Sequence, residues 1–366
     1  MLQLRRQKKA GSVVGLEIEA GAIAAAEVDS TRITAAALEP LTPGAFHEGE
    51  VNDPDLIVES LKSLFSQHKL SKRVRLGIGN QRVVVRTLRL PAIEDPKEME
   101  AAVRFQAQEQ IPMPLDQAVL EHQVVGGVAA EEGGQPQVDV VVVAARRDMV
   151  AQFVGPLRRA GLEPVGIDLS AFAMIRALAG VAAPAAENAG GQPATEGPLP
   201  PNEDAALYCN VGDVMNLAVA RGRSCLFTRV SMVGMEAMTA RLSGDTGLLP
   251  AHAAEWLTHV GVDRPLEEIE GDPEIVARAR SVVEEGAHGL VDELRLSLDY
   301  YGAQESAVPV GRIVLCGPAS AIPGLAGVME GGVGIPIVSA RPPAFDGFDD
   351  NAAARLTLAY GLALSN

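Results

Sequence analysis

Aromatic side chains are scarce in this chain: they make up 4% of its 366 residues, with one tryptophan. The interior must therefore be built from Ala, Val, Leu and Ile, in a composition that is 47% hydrophobic. No run approaches the ~20 consecutive apolar residues of a membrane-crossing helix. The densest, residues 138–145, contains Asp139 and has the length of a strand. Cysteine is also rare. Cys209, Cys225 and Cys316 stand far apart with no paired spacing, and read as buried thiols of a reducing compartment. The six histidines form no metal-ligand pattern, and no HExxH or CxxC occurs. Positive charge is short as well. The formal net charge of −16 argues against broad nucleic-acid binding, because a phosphate backbone would repel the surface.

One basic cluster stands apart: Arg5, Arg6, Lys8 and Lys9. It resembles the start of a secretory signal, but Glu17, Glu19 and Glu27 interrupt the apolar segment behind it. Residues 1–12 are therefore expected to be a flexible, solvated tail. Weak attraction to an anionic membrane surface, about 1 kcal/mol per basic residue, is the alternative.

The length suits two lobes with separate cores. Residues 13–19, 22–28 and 32–39 read as three short strands joined by tight turns. A helix follows over 54–67, with Asp53 as its N-cap and Leu56, Ile57, Leu61, Leu64 and Phe65 along one face, then a strand over 74–79. The rhythm then changes. Residues 82–168 read as strand, helix (96–110), two strands around an acidic Gly-rich loop (126–136), helix (147–160) and strand. The first of these helices opens with Asp95, Pro96 and Glu98 in a capping-box arrangement, and the second ends at Gly161. Residues 180–204 are Ala, Pro, Gly and acid without periodicity, as in a mobile linker. Beyond them the opening pattern returns over 205–210, 214–220 and 224–230. A mostly helical stretch (235–303), a strand (312–316), a turn at Gly317, short helical and strand segments and a closing helix (352–363) complete the chain. A triple-strand opening that occurs twice implies a duplicated fold, with a small-residue hairpin in each half able to offer backbone N–H groups to a phosphate.

The hairpins, with the Gly317 turn, resemble the phosphate-1, phosphate-2 and adenosine motifs of the actin/Hsp70/sugar-kinase superfamily. Within it the chain resembles the PilM family of actin-like type IV pilus assembly proteins. The likeness is carried by GLEIEAGAIAAAEV from Gly15, RFQAQEQIPMPLDQAVLEHQV from Arg104, FTRVSMVG from Phe227, DELRLSLDYY from Asp292 and IVLCGPASAIPGLAGVM from Ile313. It covers nearly the whole chain outside 180–204. The resemblance implies an α/β, duplicated actin-like (ribonuclease H-like) two-lobed fold with an inserted α+β subdomain of the 1C type. The expected division is 13–81 with 166–180 for the first lobe, 82–165 for the insertion, a linker over 181–204, and 205–345 for the second lobe. Its helical part spans about 235–303, and the closing helix returns to the first lobe.

The resemblance also implies an ATP/Mg2+ site, formed here by Glu17, Ala20, Gly21, Ala22, Gly212, Asp213, Gly317, Pro318 and Ala319, with Glu17 near the metal if a nucleotide binds. The sequence departs from the family at nearly every contact. Where relatives have a run such as DIGSSSVK, this chain has Glu17 for the Asp, Glu19 for the Gly, and Ala20, Gly21, Ala22 and Ala24 for the hydroxyl and Lys positions. Two like charges about 4 Å apart at an effective dielectric near 20 repel by roughly 4 kcal/mol, so Glu19 opposes a phosphate. Asn210 replaces an acid in the second hairpin, Pro318 removes a backbone donor, and Thr258 stands at an adenine-side Lys position. Binding that is weak or lost, and no turnover, are expected.

The leading functional expectation is a cytoplasmic scaffold, peripheral at the inner membrane. It would dock the cytoplasmic tail of a PilN-like inner-membrane protein and contact other pilus assembly components. The alternatives are an active actin-like ATPase, or an FtsA-like division protein; the chain ends at Asn366 directly after the closing helix, where FtsA-like chains continue into an amphipathic membrane helix. A sugar kinase fits least. For the tail, the expected surface is Arg104, Phe105, Glu109, Ile111 and Pro112. On ideal helical spacing Met99, Ala102, Val103, Gln106 and Gln110 form one stripe, and Phe105 projects away from it. Phe105 is then either covered by a neighbouring segment or anchors the partner.

Overall fold

The computed structural model describes residues 12–128, 135–181, 204–304 and 307–364. The expected basic tail, most of the 126–136 loop and nearly all of the 181–204 linker lie outside these residues.

The first three strands, β1 (Val14–Ile18), β2 (Ala22–Asp29) and β3 (Arg32–Pro40), form an antiparallel meander. A ribbon of β4 (Phe46–His47) and β5 (Glu50–Val51) follows, too short to leave a periodic signal in the sequence. In α1 (Pro54–Gln67) the Asp53 carboxylate accepts hydrogen bonds from the amides of Asp55 and Leu56. The helix buries Ile57, Leu61 and Leu64 against the sheet. Strand β6 (Arg73–Ile78) then lies parallel to β1.

The chain next leaves the first lobe for a separate three-stranded antiparallel sheet. It comprises β7 (Val83–Pro91), β8 (Ala118–Val128) and β9 (Gln137–Arg146), in the order β7-β9-β8, with α2 (Pro96–Gln110) on one face. The helix presents Met99, Val103 and Ala107 to that sheet. The expected stripe is thus corrected at its end: Gln110 is exposed, and Ala107, four residues after Val103, takes the buried place. The extent of the insertion is corrected too. Helix α3 (Arg147–Arg159) packs Met149, Phe153 and Leu157 into the core around α1, and β10 (Glu163–Leu169) pairs in parallel with β6. Both belong to the first lobe, so the three-stranded block ends at Arg146 and not at 165. Helix α4 (Ser170–Leu178) follows.

The second lobe repeats the first. Strands β11 (Ala205–Val211), β12 (Met215–Arg221) and β13 (Ser224–Ser231) form the meander, followed by α5 (Met235–Thr246), α6 (Pro250–Val260) and α7 (Pro273–Gly302). Then come β14 (Val310–Cys316), α8 (Leu325–Val333), β15 (Ile337–Ser339) and α9 (Asp350–Ala363). The sheet orders β3-β2-β1-β6-β10 and β13-β12-β11-β14-β15 match strand for strand, meander first and parallel strands after. This is the duplicated, two-lobed actin-like α/β fold.

Helices α4 and α9 lie between the two sheets. Ala24 and Ala26 of the first sheet, Met174 and Leu178 of α4, Leu356 and Tyr360 of α9, and Tyr208 and Val314 of the second sheet share one buried cluster. Small residues permit this sandwich. A Cβ on Gly15 would lie 2.0 Å from the Ala359 carbonyl oxygen, and one on Gly361 would lie 2.0 Å from that of Ala173. The alanine-rich, aromatic-poor composition is therefore the chemistry of close approach between backbones.

Candidate functional site

The hairpins of the two lobes meet across the cleft between them. The Gly21 amide donates to Asp213 Oδ2 at 3.3 Å. Nearby, His47 Nδ1 lies 2.6 Å from Glu236 Oε1, and the Glu48 amide donates to Glu236 Oε2 at 3.1 Å. Glu17 points inward from β1 and is 6% exposed. Its Oε1 accepts from Ser170 Oγ at 2.8 Å, while Oε2 has no hydrogen-bond partner. A Cβ on Gly77 would fall 2.0 Å from that Oε2, and one on Gly212 would fall 2.0 Å from Glu19 Oε1, so both glycines make room for carboxyls.

Burial pushes the Glu17 carboxyl up to about 7, against the lowering effect of the Ser170 bond. Asp213 rises to about 6, from burial first and the Glu236 charge second. Glu19 is raised well above the carboxylate range by desolvation, then by Asp213 and Glu17, with Arg355 opposing. Asn210 Nδ2 and Asn216 Oδ1 are buried without partners.

The space enclosed by Glu17, Glu19, Gly77, Gly79, Asp213 and Asn216 is a cavity of about 20 Å3, room for roughly one water. The third motif is closed as well. Gly317, at φ +83°, sits where a Cβ would meet Asn210 Oδ1 at 2.5 Å; Pro318 and Ala319 are buried in a short 3-10 turn. Thr258 Oγ1 donates to the Ala254 carbonyl of its own helix at 3.2 Å. The sequence-predicted nucleotide residues of the two hairpins therefore do converge. They set three buried carboxyls, Glu17, Glu19 and Asp213, around a space of about 20 Å3 in the region where a triphosphate needs room and donors. Among the described residues no group of three or more His, Cys, Asp and Glu is arranged to hold a metal ion.

A larger feature lies elsewhere. A groove of about 580 Å3 runs along the face of the three-stranded sheet opposite α2. Val119, Val141 and Val143 wall one side, Ile167 and Phe172 of the first lobe the other, and Arg223, in the turn before β13, closes a third. Ile167 is 38% exposed. Strands β8 and β10 are each outermost in their sheets and both border the groove. An outermost strand has backbone N–H and C=O groups with no ladder partner. An ion pair between Arg176 and Asp168, mostly buried, lies among the lining residues.

The residues expected to meet a partner do not line this groove. Ile111 is buried in the core between α2 and its sheet, because it caps the helix and points inward. Arg104, Phe105, Glu109 and Pro112 are exposed on the far side, and Phe105, at 69%, is not covered. The sequence did hold a signal for the groove. The run 138–145 is apolar at both parities: Val140, Val142 and Ala144 face α2, which leaves Val141, Val143 and Ala145 requiring a cover on the other face.

With this geometry in view, comparison with known proteins gives a consistent picture. The model of the family described as "Type IV pilus assembly protein PilM" matches residues 15–365. A solved PilM–PilN type IV pilus biogenesis complex matches with a TM-score of 0.73 and 24% identity, over 96% of this chain and 98% of that one. The ethanolamine utilization protein EutJ from Carboxydothermus hydrogenoformans matches with a TM-score of 0.54 and 12% identity, over 96% and 89%. MreB5 of Spiroplasma citri bound to ADP matches with a TM-score of 0.51 and 11% identity, over 97% and 95%.

Proposed function

The chain belongs to the PilM family of type IV pilus assembly proteins, and from that premise we propose that it is a docking scaffold that has given up nucleotide chemistry. It holds the cytoplasmic tail of a PilN-like inner-membrane protein as an extended segment in the groove beside β8 and β10. It thereby sits in the cytoplasm at the inner membrane, relays to other pilus assembly components and serves twitching motility.

The observation that carries this reading is an apolar groove bordered by two free sheet edges. An extended segment would satisfy those edges by strand addition, and its alternate side chains would meet the valine wall and Phe172. The solved PilM–PilN complex supports the choice of partner, since it joins a relative of this chain to a PilN protein. Among the described residues no helix is long and apolar enough to cross a membrane, in keeping with attachment through a partner. On the cofactor, the three carboxyls around about 20 Å3 support weak or lost ATP binding and no turnover. The competing reading, an active ATPase, draws on ADP-bound relatives of the fold but would need the cleft to open and its acids to be neutralised.

A titration with a synthetic peptide of the partner's cytoplasmic tail tests the proposal. Val119→Asp and Ile167→Asp, one on each wall of the groove, should weaken binding at least tenfold, because a carboxylate would be desolvated by the docked segment. Phe105→Ala should leave affinity unchanged and alter stability by less than about 0.5 kcal/mol, as an exposed side chain does. The opposite pattern would move the docking site to α2.

A further inference from the structure

The groove has charges that its own walls do not balance. Arg176 and Asp168 neutralise each other. Arg223 is different. It follows the tight turn at Gly222, which has φ +58°, at the start of β13, and it is exposed. It has no ion pair or hydrogen bond among the described residues. Across the groove, on the inserted sheet, stands the carboxylate of Glu121, which also has no ion pair among the described residues. The groove therefore carries one unpaired cation from the second lobe and one unpaired carboxylate from the insertion.

Arg223 also belongs to a different body from the rest of the groove. Val119, Val141 and Val143 ride on the insertion and Ile167 and Phe172 on the first lobe, whereas Arg223, Ser224 and Cys225 ride on the second. The loop that leads from the first lobe into the inserted block also touches the second lobe, where Gln81 Nε2 donates to the Val230 carbonyl at 3.2 Å.

Resting on the docking reading above, we propose that the second lobe is a working jaw of the groove: Arg223 selects a segment that places a carboxylate opposite it, and docking thereby fastens the two lobes to each other. The guanidinium presents a fork of donors that matches a carboxylate and keeps its charge at any physiological pH. A ligand that touches both lobes favours the arrangement in which it can touch both, by the difference in its contacts. Beside the buried packing of α4 and α9 between the sheets, the polar contacts across the cleft include the Gly21 amide on Asp213 and the His47 and Glu48 contacts to Glu236, in a region crowded with acids. A clamp at the groove would add to them on another side of the molecule.

The test uses the full chain and the same tail peptide, prepared also with each acidic residue replaced by its amide. Arg223→Ala should weaken binding of the unmodified peptide roughly three- to fivefold, the range of a partly exposed ion pair, and reduce the dependence on salt. One amide peptide should bind wild type as weakly as the variant, and show no further loss with Arg223→Ala. Hydrogen exchange at the Gly21 and Glu48 amides should slow when peptide is bound to wild type, and slow less in the variant. If Val119→Asp abolishes binding while Arg223→Ala changes neither affinity, salt dependence nor these amides, the jaw is refuted and the docking reading stands. If Val119→Asp has no effect either, both fall.

Discussion

Replacing Glu17 by glutamine removes one carboxyl from the interlobe cavity and keeps its shape. The wild-type carboxyl rises from 4.5 to about 7 when the chain folds, chiefly through burial. A raised acid holds its proton more tightly in the folded state. The stability linked to it is complete below pH 4.5 and is lost as the pH climbs through about 7. At about 1.36 kcal/mol per tenfold change in acidity, that rise amounts to roughly 3 kcal/mol of destabilisation once the group is fully ionised. Glutamine cannot ionise. Its oxygen can keep the Ser170 bond. Glu17→Gln should therefore stabilise the protein by about 3 kcal/mol at pH 8 and by less than about 1 kcal/mol at pH 5. Urea unfolding at the two pH values, followed by circular dichroism, reads the difference directly. A wild type equally stable at both, or a variant less stable than wild type at pH 8, would refute the description of Glu17 as a buried acid held against ionisation.

Two further outcomes follow from the same packing. Gly361→Ala should cost about 2–3 kcal/mol or abolish soluble expression, because its Cβ would sit 2.0 Å from the Ala173 carbonyl oxygen between α9 and α4; thermal unfolding measures it. Calorimetry with Mg-ATP at millimolar concentration should show little heat with wild type, and Glu19→Gly should raise the affinity by removing a carboxyl from the phosphate position; micromolar binding by wild type would contradict the proposed loss.

The fold was legible because its signals are local. Asp53 and Asp95 cap the helices that the sequence placed after them, and the two small-residue hairpins mark both halves of the duplication. The limits of the insertion were less so. Helix α3 is amphipathic wherever it packs, and only the partner of Phe153, the core around α1, assigns it to the first lobe. The cleft was half legible. Substitutions at Glu17, Glu19 and Asn210 pointed away from phosphate, but the direct contact of Gly21 with Asp213 is a long-range property that no local pattern encodes. The sequence pointed to α2 for docking, whereas the groove proposed for it lies on the other face of the inserted sheet. A helical stripe identifies which side of α2 is buried, yet it does not tell which face of the sheet the rest of the molecule leaves open.

The central claim is that an extended segment adds to the free edges of β8 and β10. Hydrogen exchange resolved to single amides, with and without the partner's tail peptide, tests it most directly. Amides within 121–125 and 167–169 should become protected on binding, while those of α2 and its exposed Phe105 face should not change. Protection confined to α2, with both strand edges exchanging as before, would contradict it.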